Sequence, residues 1–368
     1  MGSEEKKIRV IVVDDSAVMR KLIPGLLERD KGIEVVATAI DGDFALSKIE
    51  QLRPDVVTLD VDMPRMDGIT TLGQIVSKYS IPVVMLSSLT SRGAALTMQA
   101  LEMGAVDFIC KPKATAQIGG MADELISKVK SASSAKVMTY KGMVSQRPAG
   151  PGPKKPGEVL PVPAYRSDCT GLVVIGASSG GPHALRYLLP KIPSDFGVPI
   201  LIVQHMPESF TSMLAKWLNE MCEIEVREAR EGDIAVPGRA LIAPGTSHLK
   251  VKRKSNGAGE VLLERGRPVN GHIPSVDVLF RSVAKEYGPG AMAIIMTGMG
   301  SDGAEGIGEI RKAGGHTLAQ DRESSAIFGM PKVAIERGYI DKVLSLTEIP
   351  EYLVGAAGRA VDRSALKG

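Results

Sequence analysis

Short apolar runs separated by amphipathic segments recur in two series along this chain, and that alternation constrains its fold more than any other feature. In the first 113 residues the runs are 9–13, 34–37, 56–59, 83–86 and 107–110. Between them apolar residues fall at helical spacing, as at Leu22, Leu26 and Leu27. Near-continuous apolar strands joined by helices imply a parallel sheet covered on both faces. Residues 121–137 read as the last helix of this series. A second series occupies 172–175, 200–204, 240–243, 291–297 and 317–319. Residues 250–264 alternate around Ser255-Asn-Gly257 and read as a β-hairpin. The expectation is an α/β chain with two doubly wound domains, each on a parallel sheet.

Composition places the boundary between them. Residues 146–166 hold six prolines and three glycines and read as a linker. The domains are therefore expected at 1–130 and 168–368, joined by 131–167. Residues 1–113 carry a net charge of −2, residues 114–167 a net of +5, and the remainder is balanced. Neither domain has the basic excess of a nucleic-acid-binding module, so no nucleic-acid partner is expected. There is no uninterrupted apolar run of 18 residues and no apolar leader after Met1, so neither membrane insertion nor secretion is expected. The three cysteines, Cys110, Cys169 and Cys222, are too few and scattered for a disulfide framework or a zinc site. Each reads as a small buried apolar residue, and a cytoplasmic location fits.

Acidic residues cluster at the expected strand ends of the first domain. Asp14 and Asp15 end the first strand, Asp60 the third, Ser87 and Ser88 the fourth, and Lys111 the fifth. In a parallel sheet these positions share the edge where ligands bind. Gathered carboxylates repel one another unless a cation joins them, and hard oxygen ligands favour Mg²⁺. Asp60 could then attack a phosphoryl group held by Mg²⁺, Lys111 and a serine hydroxyl. This half resembles the receiver domain of two-component response regulators. The resemblance implies a flavodoxin-like fold, with Asp60 as phospho-acceptor and Asp15 as a direct Mg²⁺ ligand beside Asp14. It also implies the backbone carbonyl of Asp62 as a further ligand, Ser87 as switch hydroxyl and Phe108 as switch aromatic. Plain core is the lesser alternative reading of Phe108. Met63-Pro64 and Asp67-Gly68 match the loop after the acceptor.

In the second domain, Gly176-Ala-Ser-Ser-Gly-Gly181 stands between an apolar strand and a helix. Such a turn can present a nucleophilic serine or cradle a phosphate. His205 and Asp302 also follow apolar strands, so Ser178, His205 and Asp302 can share one sheet edge as nucleophile, base and carboxylate. Backbone N–H groups at Met299 and Ser179 could bind an oxyanion. The order serine, histidine, acid differs from the serine, acid, histidine order of α/β-hydrolases. A second reading competes. Gly298-Met-Gly-Ser-Asp-Gly303 fits a dinucleotide fingerprint, with Asp321 where a ribose-binding acid belongs. Against it, Asp302 would place a carboxylate in the pyrophosphate turn. Of the other histidines, His183 reads as surface, His248 and His272 as possible cleft residues, and His316 as structural.

Several motifs extend the comparison: Gly176–Gly181, Gln204-His-Met-Pro207, Ala243-Pro-Gly245, Pro274-Ser-Val-Asp-Val-Leu-Phe280, Thr297-Gly-Met-Gly-Ser-Asp-Gly303 and Phe328-Gly-Met-Pro331. Together with the receiver in front, the chain resembles the chemotaxis protein-glutamate methylesterase (CheB) family. The resemblance implies a Rossmann-like catalytic domain with Ser178, His205 and Asp302 as its triad and no cofactor of its own. It implies hydrolysis of glutamate methyl esters, and deamidation of glutamines, on methyl-accepting chemoreceptors. It further implies a chemotaxis histidine kinase as phosphodonor to Asp60, and a receiver that restricts the catalytic edge until phosphorylated. Ser179 stands where threonine is usual and keeps the hydroxyl.

Overall fold

A computed structural model describes residues 6–88, 90–112, 118–135, 171–255 and 257–357. The chain divides into two compact units, Met1–Gly157 and Glu158–Gly368. The stretch read as a linker, 146–166, and Cys169 lie outside the described residues.

In the first unit strands β1 (Ile8–Val13), β2 (Ile33–Ala39), β3 (Val56–Asp60), β4 (Val83–Ser87) and β5 (Asp107–Cys110) alternate with helices. These are α1 (Ala17–Leu27), α2 (Gly42–Leu52), α3 (Gly68–Lys78), α4 (Ser91–Met103) and α5 (Ile118–Ser133). The strands form one parallel sheet in the order β2-β1-β3-β4-β5. β3 and β4 are buried along their whole length, which is why their sequences are apolar without alternation. Side chains start the helices where the sequence offers caps. Asp41 accepts from Phe44 N, Asp67 from Thr70 N and Thr90 from Gly93 N. Helix α5 begins earlier than the expected 121 and ends at Ser133, where Ser134 N and Ala135 N turn back to Ser131 O and Ala132 O. Residue 137 lies outside the described residues.

The second unit is built on seven parallel strands in the order β15-β14-β13-β6-β7-β10-β8. In chain order the elements are β6 (Leu172–Ala177), α6 (Gly181–Leu188), β7 (Ile200–Gln204), α7 (Glu208–Asn219), β8 (Glu225–Glu228), β9 (Ile234–Ala235) and β10 (Arg239–Ile242). The antiparallel pair β11 (His248–Arg253) and β12 (Gly259–Glu264) is the expected hairpin, and β9 pairs with β12. Then follow α8 (Val276–Tyr287), β13 (Ala291–Ile295), α9 (Ala304–Lys312), β14 (His316–Gln320), α10 (Met330–Glu336), β15 (Lys342–Leu344) and α11 (Ile349–Ala357). Helix α8 buries Val276, Leu279, Phe280 and Val283 in a core shared with β6, β13 and the hairpin. β13 stops two residues short of the expected 297. Thr297 N donates to the Gln320 side chain at 2.9 Å instead of to a neighbouring strand. Strands β8, β9 and β15 are additions to the expected set. They are two to four residues long, β8 and β15 carry charges and β9 is only Ile234-Ala235, so no apolar run marks them.

Candidate functional sites

Each parallel sheet reverses its winding at one point, and both sets of singled-out residues gather there. In the first unit β1 leads to β2 on one side and β3 to β4 on the other, so a crevice opens beyond β1 and β3. Asp14 and Asp60 stand at its rim and are buried, whereas Asp15 is exposed. Carboxylate oxygens of Asp14, Asp15 and Asp60 lie within 4.8 Å of one another. Lys111 Nζ is 2.8 Å from Asp14 Oδ2 and 2.7 Å from Asp60 Oδ2. Burial pushes the Asp60 carboxyl up to about 6, against the pull of the Lys111 ammonium. Burial also works against the Lys111 charge, but Asp60 and Asp14 outweigh it and raise its pKa. One ammonium among three carboxylates leaves the cluster short of positive charge. These all-oxygen donors therefore fit a hard divalent cation. Asp62 is exposed, and its N–H reaches Asp60 Oδ1 at 3.4 Å.

The Ser87 hydroxyl does not bond Asp60. It faces α4, where it receives the Thr97 hydroxyl at 2.6 Å and reaches Gly93 O at 3.2 Å. Phe108 is buried core, with Lys128 Nζ 5.2 Å from the ring centroid and donating to Phe108 O. Cys110 and Cys222 are half-buried rather than buried, and burial raises both thiols to about 12.

In the second unit β6 leads to β7 on one side while β13 leads to β14 on the other. Ser178 follows β6, and Asp302 follows β13 through a glycine-rich turn. His205 follows β7, next to β6, and its N–H donates to Ala177 O. The Gln204 amide ties nucleophile and base strands together, donating to Ser178 O at 2.8 Å and to His205 O at 3.3 Å. Asp302 is 1% exposed and fully engaged. Its Oδ2 accepts His205 Nε2 at 2.8 Å and Val276 N at 2.7 Å. Its Oδ1 accepts Asn270 Nδ2 at 2.9 Å, Ser275 Oγ at 2.8 Å and Asp277 N at 3.3 Å. Val276 and Asp277 open α8, so the carboxylate also sits at the positive end of a helix. Burial alone would raise its pKa. The His205 bond and charge, with Asn270 and Val276 N–H, hold it instead far below the usual carboxylate range. An ionised Asp302 fixes the proton of His205 on Nε2 and leaves Nδ1 as the basic nitrogen. Nδ1 is buried and has no hydrogen-bond partner. Ser178, 9% exposed, makes no hydrogen bond to His205 in this state.

The turn after β13 crosses close to the serine. A Cβ added at Gly298 would stand 2.8 Å from Ser178 Cβ, and Gly298 O is held by the N–H groups of Gly329 and Met330. Ser178 N donates to Thr297 O, and Thr297 Oγ1 donates to Ser179 O. Met299 and Ser179, the expected oxyanion donors, thus belong to two loops joined beside Ser178.

The remaining histidines separate clearly. His248 lines no cleft: it is buried, its Nε2 donating to Arg267 O and its Nδ1 accepting Ser275 N. His183 is half-buried rather than a surface residue. His316 begins β14 as expected. His272 lies flat against His205, with ring centroids 3.7 Å apart and 11° between planes. The dinucleotide reading meets two obstacles. The Asp302 carboxylate already fills its turn, and Asp321 Oδ1 is taken by the N–H and hydroxyl of Ser324. Sequence reasoning did not single out Asn270, Ser275, Asp277 or Gln204 as site residues. All four lie within the quoted motifs or beside His272, but nothing in their spacing shows that they converge on Asp302 or on Ser178.

Together these features define a response-regulator-type unit joined to a doubly wound unit with a serine, histidine and aspartate at its switch point. The chain belongs to the CheB methylesterase family. The model of that family, CheB methylesterase, matches residues 173–353, and that of the response regulator receiver domain matches 10–123. A protein-glutamate methylesterase/protein-glutamine glutaminase from Koribacter versatilis is 49% identical over 94% of this chain and 95% of its own length. One from Syntrophotalea carbinolica is 46% identical over 95% of this chain and 97% of its own length. The Thermotoga maritima CheB methylesterase catalytic domain is 42% identical, covering 50% of this chain and 97% of that domain, at a TM-score of 0.49. Among the described residues no helix is long and apolar enough to cross a membrane.

Proposed function

We propose that the chain hydrolyses glutamate γ-methyl esters, and deamidates glutamines, on the cytoplasmic helices of methyl-accepting chemoreceptors, under control of phosphorylation at Asp60. The observation that carries the chemistry is the His205–Asp302 pair at 2.8 Å, with His205 Nδ1 free of any partner and His205 following β7, the neighbour of the strand β6 that leads to Ser178. Ser178 Oγ attacks the ester carbonyl while His205 Nδ1 takes its proton. Asp302 holds the imidazole and stabilises the imidazolium. The N–H groups of Met299 and Ser179 hold the developing oxyanion. Methanol leaves with the proton from His205. A water then attacks the acyl-enzyme, giving its proton to the same nitrogen. The bond to Ser178 Oγ breaks, the serine takes that proton back from His205, and the glutamate side chain departs, losing its acid proton to solvent. With glutamine the leaving group is ammonia, and the steps are otherwise the same. No cofactor is needed at this site.

In the receiver, Asp60 would accept a phosphoryl group from a chemotaxis histidine kinase. Asp14, Asp15, Asp60 and the Asp62 carbonyl would hold Mg²⁺, which supplies charge neutralisation for the transfer. Lys111 would steady the phosphoryl oxygens, and Ser87 would leave its Thr97 contact to join them. Phe108 would repack with that change. A cytoplasmic location follows from this substrate and phosphodonor. The test is methanol release from carboxyl-methylated receptor. Wild type should release it, and Ser178→Ala should lose kcat by ~10⁶, as triad knockouts do. Release by Ser178→Ala at the wild-type rate would overturn the reading.

A further inference from the structure

We infer that Asn270 is a positioning residue for the base: its side-chain amide, shared between Asp302 and Asp277, holds the Asp302 carboxylate in the orientation that serves His205. The inference rests on the serine-hydrolase reading of the site and adds a residue to it. Asn270 Nδ2 has two protons and uses both. One goes to Asp302 Oδ1 at 2.9 Å and the other to Asp277 Oδ2 at 2.8 Å. The two carboxylates it joins are each 1% exposed. Buried like charges this close destabilise each other unless a donor stands between them, and the amide is that donor.

The backbone presents the amide in a fixed way. Val269 N donates to His272 O, and His272 N donates to Val269 O, closing a two-residue turn. Asn270 and Gly271 occupy its centre at φ 52° and 82°, the left-handed pair such a turn requires. The same turn carries His272, whose ring lies against His205. One tight turn therefore touches both members of the base pair, the carboxylate through Asn270 and the imidazole through His272.

The other side of Asp302 is closed as well. Ser275 Oγ and the first N–H groups of α8 occupy the remaining lone pairs. Asp277 is in turn held by Gly306 N at 2.7 Å. The ionisable groups around the pair are Asp277, His272 on the ring face, Arg281 at 3.9 Å from Asp277, and His248 behind Ser275 N. Removal of the amide takes one donor from Asp302 Oδ1 and leaves more of the carboxylate charge to the imidazole. That favours the imidazolium, so the basic form of His205 is lost at higher pH.

The test compares wild type, Asn270→Gly and Asn270→Asp in the full chain. Glycine keeps the turn because it accepts positive φ. Aspartate keeps the shape but offers at most one proton, and only when protonated, so it cannot donate to both carboxylates. Methyl-ester hydrolysis is measured from pH 5 to 9, alongside the thermal midpoint. With glycine, kcat should fall ~10–100-fold, as with other supporting-shell partners, while KM stays within about twofold. The acid limb of the kcat profile should rise by about one pH unit. Asn270→Asp should lose at least as much and shift the limb further. Unchanged limbs in both variants, or full activity in Asn270→Asp, would overturn the inference. Proton NMR of the His205 Nε2–H shared with Asp302 gives a readout independent of turnover. The inference requires that resonance to move or broaden in both variants. If wild type hydrolyses no ester, the functional reading fails, while the resonance still decides the role of Asn270.

Discussion

Asp302 and Gly298 show how single residues set this site. Asp302 ionises far more readily folded than unfolded, because the His205 charge and the donors around it outweigh burial. For a carboxyl whose folded pKa is depressed, the stabilisation is present above the unfolded value and lost as pH falls through the folded one. The difference in unfolding free energy between wild type and Asp302→Asn should therefore be large at pH 7. It should shrink steadily as pH falls below ~4, the unfolded value of an aspartate. Chemical denaturation across that range measures it, and a gap that widens in acid would contradict the assignment. Gly298 is needed for a different reason, close approach. A methyl there would come within 2.4 Å of Met330 Sδ and 2.8 Å of Ser178 Cβ. Met330 is fully buried and cannot retreat freely. Gly298→Ala should thus displace the nucleophile itself. Overpacking of this kind costs ~1–3 kcal/mol of stability, and a misplacement of about 1 Å costs ~10²-fold in rate. Wild-type kcat in that variant would show that the loop can yield.

Helix α8 organises the second site at the scale of elements. Its first turn receives Asp302, its buried face fills the core, and its contact with α9 is made through Gly306. A Cβ at Gly306 would stand 2.7 Å from Phe280 Cβ and 3.1 Å from Asp277 Oδ1. Gly306→Ala should therefore lower the thermal midpoint and also reduce kcat, because the displaced Asp277 shares Asn270 with Asp302. A stable variant with unchanged kcat would show that the two helices separate without disturbing the carboxylates. Elements also explain what the sequence made legible. Strands such as β3, β4 and β6 are buried on both faces, so their apolar runs are unbroken and visible. β8 buries only Val226 among charged neighbours, and β15 lies at the opposite sheet edge with only Leu344 buried. Nothing local distinguishes such strands from loops. The same holds for the site. Ser178, His205 and Asp302 were readable because each follows an apolar strand. Asn270, 32 residues from Asp302, meets it only through the fold.

At the scale of the whole molecule, two switch-point sites lie on one chain, an acidic cluster in the first unit and a buried histidine–aspartate pair in the second. Their proposed chemistries are unlike, and coupling between them must show as a change in the second when the first is modified. In the first unit the Ser87 hydroxyl is held by Thr97 and Gly93 of α4 rather than by Asp60. A phosphoryl group on Asp60 would compete for that hydroxyl, which gives the modification a direct handle on α4. Ester hydrolysis by the full chain should therefore rise on addition of a small acyl phosphate with Mg²⁺. A tenfold rise corresponds to ~1.4 kcal/mol of bias between restricted and open states, within the usual range of coupling free energies. Asp60→Asn should keep the basal rate and lose the rise, and chelation of Mg²⁺ should abolish the rise in wild type. Equal rates with and without the phosphodonor would remove the regulatory half of the proposal. They would leave the hydrolytic half standing, because the second unit alone supplies Ser178, His205 and Asp302.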